Sequence, residues 1–70
     1  MKLKEAVKKA GSLGYNWIAV DEGSIYMYKN KPTIYYGMDE WCSDATSFID
    51  GYYLGDYTGS KHWTQTRRKV

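Results

Sequence analysis

Most of the raw material for site chemistry is scarce in this chain. Its 70 residues hold one Cys, one His, one Pro and one Phe. A lone Cys42 excludes an internal disulfide, and a small half-buried apolar role suits it better than a bridge between copies. One His and one Cys cannot assemble a structural zinc site. No EF-hand spacing and no Gly-rich loop opening a helix is present. His62 has no nucleophile or carboxylate at a telling spacing. The carboxylate pairs Asp21-Glu22 and Asp39-Glu40 are adjacent in loop-like sequence, where neighbouring side chains point apart. The expectation is therefore no enzyme, no cofactor and no metal. No apolar run approaches the length that spans a bilayer, and residues 2–10 are too charged to read as a signal segment. With a single Cys, the expected setting is a reducing cytoplasm and not a membrane.

Aromatic side chains are what the chain has in plenty. Eight Tyr, three Trp and the one Phe make up 17% of it. Aromatics bury a large area at low entropic cost, and serve equally as a miniature core and as a contact surface. Seventy residues form a single domain, 1–70, whose size leaves a large share of its surface unburied. Twelve large rings are more than such a core hides, which favours a protein that acts by binding. The net charge of +2 is too small to argue for nucleic acid by itself. Its distribution is uneven: Lys2, Lys4, Lys8 and Lys9 crowd one end, and Lys61, Arg67, Arg68 and Lys69 the other. Asp39, Glu40, Asp44, Asp50 and Asp56 lie between them. If the ends meet, a basic patch faces an acidic one, a dipolar surface that steers partners of either sign.

Periodicity supplies the elements. Residues 2–10 read as a helix, with Leu3, Ala6, Val7 and Ala10 on one face and Glu5 placed four before Lys9. Gly11 or Gly14 ends it, and Leu13 is expected to fold back over the end. Residues 15–20 and 24–28 alternate as strands around Asp21-Glu22-Gly23, which reads as a three-residue hairpin loop with a bulge. Pro32 marks a loop or an edge. Residues 33–36 and 52–54 are further short strands, residues 42–50 are ambiguous, and Arg67-Arg68-Lys69 is expected to fray. The fold class is α+β: one N-terminal helix packed on a twisted antiparallel sheet of three to five strands. The expected core is Leu3, Val7, Ala10, Trp17, Ala19, Ile25, Met27 and Leu54, with Trp41 and Trp63 closing the edges.

Two surfaces are candidates. Tyr35, Tyr36, Asp39, Glu40, Trp41, Tyr52 and Tyr53 combine aromatics with acids, the composition of a protein-contact surface with Tyr and Trp as hot spots. Tyr26, Tyr28, Lys29, Lys31 and Arg67 combine aromatics with cations, as in surfaces that stack and grip a single-stranded nucleic acid or a nucleotide. An open strand edge in so small a sheet also suits pairing of two copies as a homodimer or a minor structural or assembly factor. Trp41, Tyr52-Tyr53 and Trp63 have the spacing of a WW domain. However, Met38-Asp39-Glu40 and Thr66 stand where that family has Pro, and the match is read as coincidence.

The run from Gly14 to Tyr28, with Asn30-Lys31-Pro32, Trp41, Tyr53-Leu54-Gly55 and Trp63, resembles small accessory proteins of tailed bacteriophages and prophages. Gln65-Thr66-Arg67 departs from the Ser-Leu pair that follows the last Trp in that pattern, which puts the C-terminal docking in doubt. The resemblance carries no established chemistry. It implies a phage-encoded protein made in the bacterial host cytoplasm. The expected function is stoichiometric binding that blocks a bacterial host protein, such as an antiviral-defence component or a nuclease.

Overall fold

The computed structural model describes residues 1–35, 40–42 and 51–70, without the side chains of Tyr35, Glu40 and Cys42. It has an α+β architecture. One helix, α1 (Leu3–Ser12), packs on a four-stranded antiparallel sheet in the order β5-β2-β1-β6. The strands are β1 (Trp17–Asp21), β2 (Ser24–Tyr28), β5 (Tyr52–Asp56) and β6 (Arg68–Lys69). A separate hairpin of β3 (Thr33–Tyr35) and β4 (Glu40–Cys42) pairs Ile34 with Trp41. A short 3-10 turn, Trp63–Gln65, precedes β6.

The helix stops where its backbone can turn. Gly14 has φ +84°, the Tyr15 N–H donates to Ala10 O at 3.0 Å, and the Gly14 N–H donates to Gly11 O at 3.1 Å. This is the left-handed glycine cap in which two orphan carbonyls are satisfied at once. Gly11 stays inside the helix. Leu13 does not fold back but stands exposed, and Tyr15 packs against the core in its place.

The β1–β2 connection is tighter than the sequence suggests. Asp21 pairs with Ser24, so only Glu22 and Gly23 form the loop, at φ +49° and +80°. Two successive positive φ angles match the right-handed strand twist of a type I′ hairpin, and Asp21 is recruited into the ladder instead of the turn. The bulge lies elsewhere. Ile25 faces Gly55 and Tyr26 faces Tyr53, leaving Leu54 as the extra residue of edge strand β5.

The two faces of the sheet are filled differently. Leu3, Ala6 and Ala10 of α1 cover Ile18, Val20, Ile25, Met27 and Leu54. On the reverse face Ala19, Tyr28 and Trp41 are buried together, with Trp17, Tyr26 and Ile34 packed around them. The expected core needs correction here. Trp17 and Ala19 lie on the face away from the helix, and Ile18 and Val20 take the helix side, because β1 pairs Ile18 with Met27 and Val20 with Ile25. Val7 and Trp17 are only half-buried, whereas Tyr28 is sealed at 1% exposure.

The C-terminal segment also departs from expectation. Arg68 and Lys69 do not fray; they pair with Ile18 and Trp17 as β6. Fully buried Thr66 explains why: its hydroxyl accepts from the Val20 N–H at 2.9 Å and donates to Trp63 O at 2.6 Å. The Val20 carbonyl in turn accepts from the Trp41 indole N–H at 3.0 Å. Side chains therefore replace ladder bonds along β1 beyond the short β6, and no buried backbone donor is wasted there. β6 lies beside α1, with Val70 close against Gly11, so the two lysine- and arginine-rich ends of the chain do meet. Among the described residues, no helix is long and apolar enough to cross a membrane.

Candidate binding surface

Among the described residues, β5 presents the large rings that the fold leaves in solvent. Tyr52 is 63% exposed and Tyr53 is 57% exposed. As consecutive strand residues they point to opposite faces. Tyr52, opposite Met27, leans toward the helix side, and Tyr53, opposite Tyr26, toward the hairpin side.

Each is propped by an inner tyrosine. The Tyr52 and Tyr15 ring centroids are 5.8 Å apart at an interplanar angle of 56°. The Lys29 ammonium stands 4.5 Å from the Tyr15 centroid and donates to Gly14 O at 2.6 Å. The Asn16 amide donates to Lys29 O at 2.9 Å, fixing that corner. On the other side Tyr53 meets Tyr26 edge-on, with centroids 6.2 Å apart. The Tyr53 hydroxyl donates to an Asp56 carboxylate oxygen at 2.8 Å. That hydrogen bond, then desolvation and the Asp56 and Tyr26 charges, raise the Tyr53 phenol above its ordinary value. It stays a neutral donor through the physiological range. The edge is thus a pair of pre-positioned aromatic contacts, each ring supported from behind.

The downstream end of β5 is closed. The Met1 amino group donates to Asp56 O at 2.9 Å and to the Thr58 hydroxyl at 3.2 Å, while the Thr58 N–H donates to Met1 O at 3.0 Å.

The seven residues expected to form the contact surface do not share one fate. Tyr52 and Tyr53 are exposed neighbours. Trp41 is buried at 2% exposure beside Ala19 and Tyr28, with its N–H committed to Val20 O, and is not part of the exposed surface. Tyr35 and Glu40 face each other in the β3–β4 ladder. Tyr36 and Asp39 lie outside the described residues. Tyr15 and Asp56 were missed as members of the site. The signal for Asp56 is its place three residues after Tyr53; Tyr15 carries none, since Tyr15 and Tyr52 meet only through the fold.

The alternative, cation-rich set is divided. Tyr28 is buried and Tyr26 half-buried. Lys29 belongs to the Tyr15 corner. Lys31 stands over Trp17 at 5.8 Å on the hairpin side. Arg67 donates to Pro32 O at 3.1 Å, with its guanidinium 6.0 Å from the Trp17 ring and 5.8 Å from the Trp41 ring. These five do not form one exposed stacking surface.

Elsewhere, Lys2, Lys4, Glu5, Val7 and Lys8 line an open groove of about 570 Å³ beside α1. No group of three or more His, Cys, Asp or Glu side chains gathers among the described residues. Comparison with protein-family models, with curated proteins and with solved structures finds no match to this chain.

Proposed function

We propose that this chain is a stoichiometric binding protein that grips a partner protein through the Tyr52–Tyr53 edge of β5. The observation that carries the reading is the contrast in ring use. Trp41 and Tyr28 are buried in the fold, while Tyr52 and Tyr53 stand in solvent on a braced edge. Exposed, rigid tyrosines lose little entropy on contact and are favoured anchors of protein interfaces. Lys29 on one side and Asp56 on the other give the rim both signs of charge. The resemblance to phage accessory proteins makes a bacterial host protein the proposed target, an antiviral-defence component or a nuclease, blocked by occupation rather than by any catalytic step.

The test is capture from nuclease-treated bacterial lysate with the wild-type chain and with a Tyr52→Ser/Tyr53→Ser variant of matching circular dichroism. The captured protein is then purified and titrated with both. Loss of the two anchors is expected to weaken affinity on the order of a hundredfold, as for paired hot spots. Equal affinity of the two chains would sink the reading. Capture that vanishes with nuclease and falls steeply with salt would move the assignment to nucleic acid.

A further inference from the structure

Three cations converge on one indole at the start of β1, on the face away from α1. The Lys31 ammonium stands 5.8 Å from the Trp17 ring centroid and the Arg67 guanidinium 6.0 Å from it. Lys69 is the cross-strand partner of Trp17 in the β1–β6 ladder. Directly opposed residues of an antiparallel pair carry their side chains on the same face, with Cβ atoms about 5 Å apart. Positive charge from before β3, from before β6 and from within β6 is therefore brought to one place by the fold.

The cluster has a fixed member and two mobile ones. Arg67 is half-buried, donates to Pro32 O at 3.1 Å and also lies 5.8 Å from the Trp41 ring, so its guanidinium is oriented by two indoles and a carbonyl. The bond to Pro32 leaves further N–H donors on the fork. Trp17 is half-buried, while Lys31 and Lys69 are exposed. Like charges gathered this closely repel, and the electron-rich ring faces offset part of that cost. An anion seated among them removes the rest. The described carboxylate side chains stand elsewhere: Glu5 on α1, Asp21 at the other end of β1, Glu22 in the turn, and Asp56 on the opposite edge strand.

We propose that Trp17, Lys31, Arg67 and Lys69 form a binding site for a phosphoryl group carried by a small ligand. The planar fork of Arg67 matches phosphate oxygens, and Lys31 and Lys69 supply point charges on flexible stems that close on the group once it is seated. A group with two or more negative charges engages all three cations, which a single carboxylate does not. β6 and β5 are the two outer strands of the sheet, so this site lies across the molecule from the Tyr52–Tyr53 edge and does not depend on the protein-binding reading.

Titration of the full chain with inorganic pyrophosphate at constant ionic strength tests this, followed in NMR spectra by the Trp17 indole N–H and the backbone amides of residues 31 and 67–69. Saturable shifts centred on those signals are expected. Lys31→Glu/Lys69→Glu, at two exposed positions, should weaken binding on the order of tenfold, as two ion pairs are lost and replaced by repulsion. Lys4→Glu/Lys8→Glu makes the same change of charge on α1 and should leave the affinity within about twofold, because exposed charges beyond a Debye length are screened. Shifts that never saturate would overturn the site. Equal weakening by the two double variants would overturn it as well, since net charge alone would then account for binding. A single-stranded oligonucleotide that shifts these signals where pyrophosphate does not would replace the discrete site with a surface for an extended polyanion.

Discussion

The two faces of the sheet solve the same burial problem with different chemistry. The helix face is aliphatic and close-fitting, with small Ala6 and Ala10 letting α1 approach Ile18, Val20 and Ile25. It is held by area and shape, with no side-chain hydrogen bond among those groups. The hairpin face is aromatic and tied down by directed bonds: the Trp41 indole to Val20 O, the Thr66 hydroxyl to Val20 N–H and Trp63 O, and Arg67 to Pro32 O. The difference teaches where each face is fragile. The first loses stability in proportion to removed volume, the second in proportion to lost donors and acceptors. The sheet between them relies on both, because β1 shows Ile18 and Val20 to one face and Trp17 and Ala19 to the other.

The largest effect should come from the helix face. Ile25 is fully buried at its centre, and Ile25→Ala is expected to cost about 2–5 kcal/mol through lost transfer energy plus a cavity. In a domain this small, that should flatten the cooperative thermal transition, which calorimetry would register. A melting temperature near wild type would mean the face collapses freely onto the void, against the close packing described here.

Thr66→Val probes the opposite logic, since it conserves volume and removes the hydroxyl. The Val20 N–H is left buried without its acceptor, and a loss of about 1–3 kcal/mol is expected in urea unfolding. Thr66→Ser keeps the oxygen and should recover most of it. Equal losses in the two variants would show that methyl packing, not the hydrogen bond, holds this side.

A smaller change lies in the turn shared by both faces. Glu22 sits at φ +49°, where an L residue with a long side chain is disfavoured and Asn is not. Glu22→Asn should raise stability by up to about 1 kcal/mol, seen as a higher urea midpoint with an unchanged slope. A lower midpoint would point to a contact by the Glu22 carboxylate that outweighs the backbone strain.

The smallest effect is an ionisation. The Tyr53 phenol is raised chiefly by its hydrogen bond to Asp56. A raised pKa in the folded chain means the fold favours the protonated form. The linked stabilisation is therefore complete below the unfolded tyrosine value and disappears as pH climbs through the folded one. In Asp56→Asn the Tyr53 ring signals should titrate closer to the ordinary value of 10.0. An unchanged titration in that variant would remove Asp56 from the surface.

Sequence reasoning located the elements well where period and punctuation agree. Leu3, Ala6 and Ala10 recur at helical spacing and are buried in a helix; Ser24–Tyr28 alternates and is a strand with those bounds. It failed where the deciding partner is far along the chain. Nothing local marks Thr66 as a buried residue or Arg68 and Lys69 as a strand, because their hydrogen bonds go to β1, some 46 residues away for Thr66. The face assignment of Trp17 and Ala19 failed for a different reason. Both faces of β1 are apolar, so alternation does not say which one a helix covers. The candidate surface was legible in part: Tyr52 and Tyr53 stand exposed, but Trp41, equally aromatic and equally near acids in sequence, is buried.

By itself the sequence determined the class of architecture, the first turns to within a few residues and the excess of rings over available core. These follow from short-range periodicity, glycine placement and composition. Which rings are buried and which meet solvent was decided only by tertiary structure. An indole or phenol is content in either place provided its polar atom finds a partner. For Trp41 that partner is the Val20 carbonyl, and it exists only once β1 has paired on one side and left an acceptor open on the other.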